Sequence, residues 1–158
     1  MLPAKGGRKM TKAERKRFVA GALRKLCREG RMNESRAFCQ HGNTSVYWHS
    51  IRVAYYSLCL AEFLHLTRHK EELIYGALLH DYFLYDWHEK DKSHRLHGFH
   101  HPRTALKNAS EDFTLSELEK NIILRHMFPL IPVPPTRMES WIVCLVDKGC
   151  SIYEIIRL

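Results

Sequence analysis

The chain has 158 residues, the size of one domain, and 45% of them are apolar, enough for a core. Its composition is not that of a collagen, a coiled coil or a disordered chain, and its longest apolar runs, such as Trp141 to Val146, are far too short to span a bilayer. The formal net charge is +8, with eleven basic residues against Glu14 and Glu29 in the first 31 positions.

The basic start carries no apolar signal-peptide core, which makes the cytoplasm the expected compartment and excludes a membrane partner. Thr11-Lys-Ala-Glu14 reads as a capping box that opens a first helix to about Glu29, stopped by Gly30. This basic arm could contact nucleic-acid phosphates. It has no aromatic or base-reading motif, so a solvated helix face is the favoured reading. Residues 1–40 are expected to form a helical extension packed on a domain of residues 41–158.

A turn or short helix follows to about His41, and Gly42, Asn43 and Thr44 break the chain. A long helix is predicted from about Ser45 to Leu64, with Ile51, Ala54, Tyr55, Leu58 and Ala61 at helical spacing. Lys70 to His80 is a strongly apolar helix ending near Asp81. Tyr82 to Phe99, polar, aromatic and rich in histidine, reads as a long loop. Pro102 suits the first turn of a helix running to about Asn108. Thr114-Leu-Ser-Glu117 reads as a capping box for a helix to about Met127. Pro129, Pro132, Pro134 and Pro135 make a rigid connector. Thr136-Arg-Met-Glu139 is expected to cap a last main helix through Trp141, Leu145 and Asp147, with a shorter helix from Ser151. No stretch alternates as a strand does, so the expected fold is all-α, a bundle of about six to eight helices.

Five cysteines at irregular spacing, without a C-x-x-C pair, argue against a disulfide frame and against a thiolate zinc site. The eleven histidines are the unusual count, dense between His80 and His101. On the predicted helices, His49, the His80-Asp81 doublet, His101, His126 and Asp147 each fall beside an apolar stretch. A buried carboxylate such as the one ending Val-Cys-Leu-Val-Asp147 must be paired or metal-bound. One metal cluster would satisfy all six groups. Mixed imidazole and carboxylate donors suit Fe, Mn, Co, Ni or Zn, with Mg also admitted. Asp81 is the candidate bridge between two ions.

The pattern His49…His80-Asp81…Asp147, in the local contexts His49-Ser-Ile-Arg-Val-Ala, Gly-Ala-Leu-Leu-His80-Asp81, His101-Pro, Arg125-His126 and Leu-Val-Asp147-Lys, resembles the HD-domain superfamily of metal-dependent phosphohydrolases. The resemblance covers roughly residues 41–156. It implies an all-α fold with the His-Asp doublet on a central helix. It implies that His49, His80, Asp81 and Asp147 hold a first divalent ion, and that His101 and His126 complete a second with Asp81. The cluster His97-Gly-Phe-His100-His101 offers three histidines for one position; His101 is chosen for its place before Pro102. The implied activity is hydrolysis of a phosphomonoester, nucleotide or phosphodiester by a hydroxide bridging the metals. The implied partner is a phosphorylated small molecule or nucleotide. Arg52, one turn from His49, and Lys148, beside Asp147, are candidate phosphate contacts, and His97 a candidate proton donor. Two alternatives stay open: a di-iron oxygenase with the same ligands, and a non-catalytic metal- or nucleic-acid-binding regulator.

Overall fold

A computed structural model describes residues 8–85 and 97–157, the side chain of His97 excepted. Helix α1 (Lys12–Glu29) begins at the expected capping box: the Thr11 hydroxyl accepts from Glu14 N at 3.2 Å, and Thr11 N donates to the Glu14 carboxylate at 2.6 Å. It stops at Gly30, where a Cβ would lie 2.3 Å from the Phe113 ring. A 3₁₀ helix, Met32–Ala37, leads into a small antiparallel hairpin of β1 (Cys39–His41) and β2 (Thr44–Ser45). The hairpin corrects the expectation of no strand. Three residues facing two are too few to show alternation, and the turn is set by Gly42 at φ 57°, a left-handed conformation glycine adopts without strain.

Helix α2 (Val46–Phe63) is capped by the Ser45 hydroxyl and buries Val53, Ala54, Leu58 and Ala61 completely. It packs against α3 (Lys70–Leu79), which is apolar on every side except its acidic first turn and sits in the centre of the bundle. Gly76 of α3 lets α5 approach: a Cβ there would meet Ile122 Cδ1 at 2.6 Å. Val19, Leu26 and Met32 lie in the same apolar cluster as Leu58, Leu73, Leu78, Ile122 and Val143, and the buried Glu62 of α2 accepts from Arg15 and from Met10 N. The segment leaving Asp81 is pinned as well. The Tyr82 hydroxyl donates to Asp112 at 2.7 Å, Arg31 Nε donates to the same carboxylate at 2.9 Å, and the Asn108 amide donates to the carbonyls of Tyr82 and Phe83.

Helix α4 (His97–Asp112) starts five residues earlier than Pro102 suggests. Pro102 lies inside the helix, where it withholds the N–H that Gly98's carbonyl would receive. The remainder of the expected loop, residues 86–96, lies outside the described residues. Helix α5 (Glu117–Arg125) is capped by Ser116 with Glu119, not by Thr114 with Glu117. The two boxes overlap in sequence, and the one nearer the apolar residues Leu118, Ile122 and Ile123 forms. Thr136 does not cap α6 (Met138–Ile156). Its hydroxyl accepts from Asn121 at 2.9 Å, tying the proline connector to α5, and the N-cap residue is Arg137 without a side-chain bond. Helix α6 runs unbroken through Ser151, so no separate terminal helix forms. Among the described residues, no helix is long and apolar enough to cross a membrane. Among the described residues there are six α-helices and one 3₁₀ helix, and the protein is all-α.

Candidate metal centre

Six side chains from five helical segments meet at the centre of the bundle. His49 comes from the middle of α2, His80 and Asp81 from the end of α3, His101 from α4, His126 from the end of α5 and Asp147 from α6. None is more than 6% exposed.

Asp81 divides them into two groups. Its Oδ2 lies 3.1 Å from His80 Nε2 and 3.6 Å from His49 Nε2, and Asp147 Oδ1 closes that group at 3.0 Å from His49 Nε2 and 3.4 Å from His80 Nε2. Its Oδ1 lies 3.0 Å from His101 Nε2 and 3.4 Å from His126 Nε2, and those two nitrogens are 2.8 Å apart. Metal–nitrogen bonds of about 2.1 Å give ligand–ligand edges of about 3.0 Å in an octahedron and about 3.4 Å in a tetrahedron. The observed separations are edges of that size. His80 Nε2 and Asp81 Oδ1, both buried, complete no hydrogen bond among the described residues. Orphaned donor atoms converging in the protein interior are what a cation would satisfy. The residues fit a divalent-metal centre.

The histidines are oriented from behind. His80 Nδ1 donates to the carbonyl of Ala77 at 2.7 Å, and His126 Nδ1 to that of Ile123 at 2.7 Å. Each sits at the C-cap of its helix, where the carbonyl three residues back has no N–H of its own. His49 Nδ1 donates to Glu154 at 2.8 Å, and Glu154 is held in turn by Arg52. With Nδ1 donating, each Nε2 is the nitrogen turned to the cluster, and it offers a lone pair there once its proton is given up.

The electrostatics agree. Burial pushes the Asp81 carboxyl up, but the charge on His80 and the imidazoles of His101 and His126 outweigh it and hold it well below the usual range. Asp147 is held far down in the same way by His49 and His80, against the effect of burial. Burial lowers His49, yet the carboxylates of Asp147 and Glu154 lift it to about 9, and Asp81 and Asp147 likewise lift His80. Burial keeps His126 below its ordinary value, as an imidazole ligand requires. Two buried carboxylates thus draw positive charge, from protons or from metal.

Of the three histidines near residue 100, His101 is brought to the cluster, while His100 is exposed. His97 begins α4, and its side chain lies outside the described residues. Lys148 lines the cavity above the cluster, its ammonium donating to the carbonyls of His126 at 2.9 Å and Cys144 at 3.3 Å. Arg52 does not line that cavity. It pairs with Glu154 and lies over the Tyr153 ring.

Three residues that sequence reasoning passed over also belong here. Glu154 is one, and its signal was its spacing: seven residues after Asp147 it returns to the same helix face. Gln40, on β1, donates to Asp81 Oδ2 at 2.5 Å, and its own Oε1 is buried without a hydrogen bond among the described residues. His41 stands edge-on to His49 with ring centroids 5.7 Å apart, and burial lowers its pKa. Neither Gln40 nor His41 carried a signal, because both depend on the unforeseen hairpin.

The HD domain family model matches residues 46–149, more than half of the chain, and that span contains all six converging residues. The protein belongs to the HD-domain family, whose members are for the most part metal-dependent phosphohydrolases. No curated protein and no solved structure matches the chain.

Proposed function

We propose that this protein is a hydrolase of phosphate esters that works with two divalent ions. His49, His80, Asp81 and Asp147 hold the first ion; Asp81, His101 and His126 hold the second. The observation that carries the reading is the split of Asp81, with Oδ2 toward one donor group and Oδ1 toward the other. When bound, the ions supply acidified water and withdraw charge from the phosphoryl oxygens.

The chain's own residues do the rest. Glu154 fixes the tautomer and plane of His49, and Arg52 fixes Glu154. Arg52 is thereby a positioning residue and not a phosphate contact. Lys148, its ammonium held by the carbonyls of His126 and Cys144, puts a fixed positive charge on the cavity wall beside Asp147 that attracts the phosphate of the substrate. Gln40 Oε1, an acceptor without a donor among the described residues, can hold a proton of the attacking water. His97 is the proposed proton donor to the leaving oxygen.

The test is metal analysis of anaerobically purified protein, then phosphatase and phosphodiesterase assays with each metal. Two ions per chain and phosphate release abolished in Asp81→Ala are expected. Unchanged metal content and release in Asp81→Ala would sink the assignment. Dioxygen consumption by the iron-loaded protein, without release of phosphate from any ester, would replace it with an oxygenase.

A further inference from the structure

The cavity above the metal centre encloses about 1060 Å³, at the upper end of the range for small-molecule sites and far more than a phosphate fills. Its polar and apolar residues are segregated. At the buried end stand Asp81, His101, His126 and Asp147, with Gln40 donating to Asp81, the Ser151 hydroxyl 3.4 Å from Asp147, and Lys148 bound to backbone carbonyls. Apart from His41 and Gly98, the rest of the described wall is apolar: Met127, Pro129, Leu130, Ile152 and Ile155. Leu130, Ile152 and Ile155 are each about half exposed, so the apolar wall leads outward from the buried end to solvent. A single exposed isoleucine means little. Three large aliphatic side chains on the rim of a cavity that ends in ligand atoms mark a binding groove.

We propose that the substrate is the phosphomonoester of an apolar alcohol, with the phosphate on the ions and an alkyl, prenyl or aryl body along Met127, Leu130, Ile152 and Ile155. This rests on the hydrolase reading above. Among the described residues the outer wall offers few partners for a ribose or a base, and buried polar groups without partners oppose binding. Lys148 is the cation among the described lining residues, which is little for a polyphosphate. Hydrolysis breaks the bond from phosphorus to the alcohol oxygen and forms one to the oxygen of water. A water proton ends on the released alcohol, and no redox partner is needed.

The test uses the full chain loaded with manganese. Binding of methyl-, butyl- and hexylphosphonate, which cannot be hydrolysed, is measured by calorimetry beside thymidine 5′-monophosphate. Phosphate release is measured from the matching alkyl phosphates. Each fully buried methylene tightens binding about fourfold, so burial of even two of the roughly five added methylenes should make hexylphosphonate bind at least about tenfold tighter than methylphosphonate. In the double variant Ile152→Asn, Ile155→Asn that gain should shrink to near nothing. Both positions are about half exposed, so the fold should tolerate the change, and unchanged metal content checks that it has. Affinity independent of chain length, or tighter binding of the nucleotide, overturns the proposal. Length-dependent binding without turnover of any ester supports this groove while defeating the hydrolase reading, so the two fail separately.

Discussion

Asp147 and Glu154 grip the two nitrogens of one imidazole: Asp147 Oδ1 lies 3.0 Å from His49 Nε2, and Glu154 Oε2 accepts from His49 Nδ1 at 2.8 Å. The two acids are two turns apart on α6, so a single helix supplies both a metal-facing carboxylate and the group that aims its neighbour. The family match ends at residue 149, between them.

Glu154→Gln should therefore leave the fold intact and weaken the first ion. Groups that orient a ligating histidine contribute about 10- to 100-fold in metal affinity. A chelator competition titration should show a loss in that range, and Arg52→Ala a smaller one. Equal affinity in Glu154→Gln and the parent protein would remove Glu154 from the centre.

The two halves of the site should be separable. His126→Ala removes a donor atom from the Oδ1 group alone and should reduce the count from two ions to one, whereas Asp81→Ala should empty both. Elemental analysis after gel filtration reads the difference. If His126→Ala keeps both ions, the grouping is wrong.

In chelator, stability should fall as pH rises. His49 is raised from 6.5 to about 9 in the folded protein, so its contribution is complete below about 6.5 and is lost as pH climbs through 9. Asp81 and Asp147 are lowered, so theirs is present above about 3.8 and is lost in acid. Metal replaces the imidazole protons, so its affinity should grow as pH rises. The melting temperature followed from pH 6.5 to 9 should drop in EDTA, and the gap to the manganese-loaded protein should widen. A gap that narrows would show that protons and metal do not compete for this cluster.

Gly76 sets the spacing of α3 and α5, and with it the approach of His80 and His126, whose ring centroids are 4.8 Å apart. Gly76→Ala forces Ile122 to move, and overpacking of this kind costs about 1–3 kcal/mol. Urea unfolding should show a lower midpoint at unchanged slope. A midpoint equal to the parent's would mean that the two helices part without penalty.

How much of this was legible beforehand follows from range. The helices could be read because Ala54, Leu58 and Ala61 in α2, and Leu73, Ile74, Ala77 and Leu78 in α3, fall at helical spacing, and because caps such as Thr11 act within three residues. The residues that converge could be named because a buried Asp147 or His80-Asp81 has few other fates. The misses were of two kinds. Where two local signals competed, as at Thr114 and Ser116, pattern alone could not choose between them. Where the partner lay far along the chain, as for Gln40 with Asp81 or Arg52 with Glu154, spacing said nothing. Arg52 was one turn from His49 as expected, but a buried acid on α6 claimed its charge.

Two of the four imidazoles in the centre, His80 and His126, are aimed by the main chain of their own helices and not by neighbouring side chains. Their orientation therefore survives almost any replacement nearby that leaves the two helix ends in place. Evolution, or an engineer, can redecorate the entrance to accept new molecules while the inorganic core stays as it is.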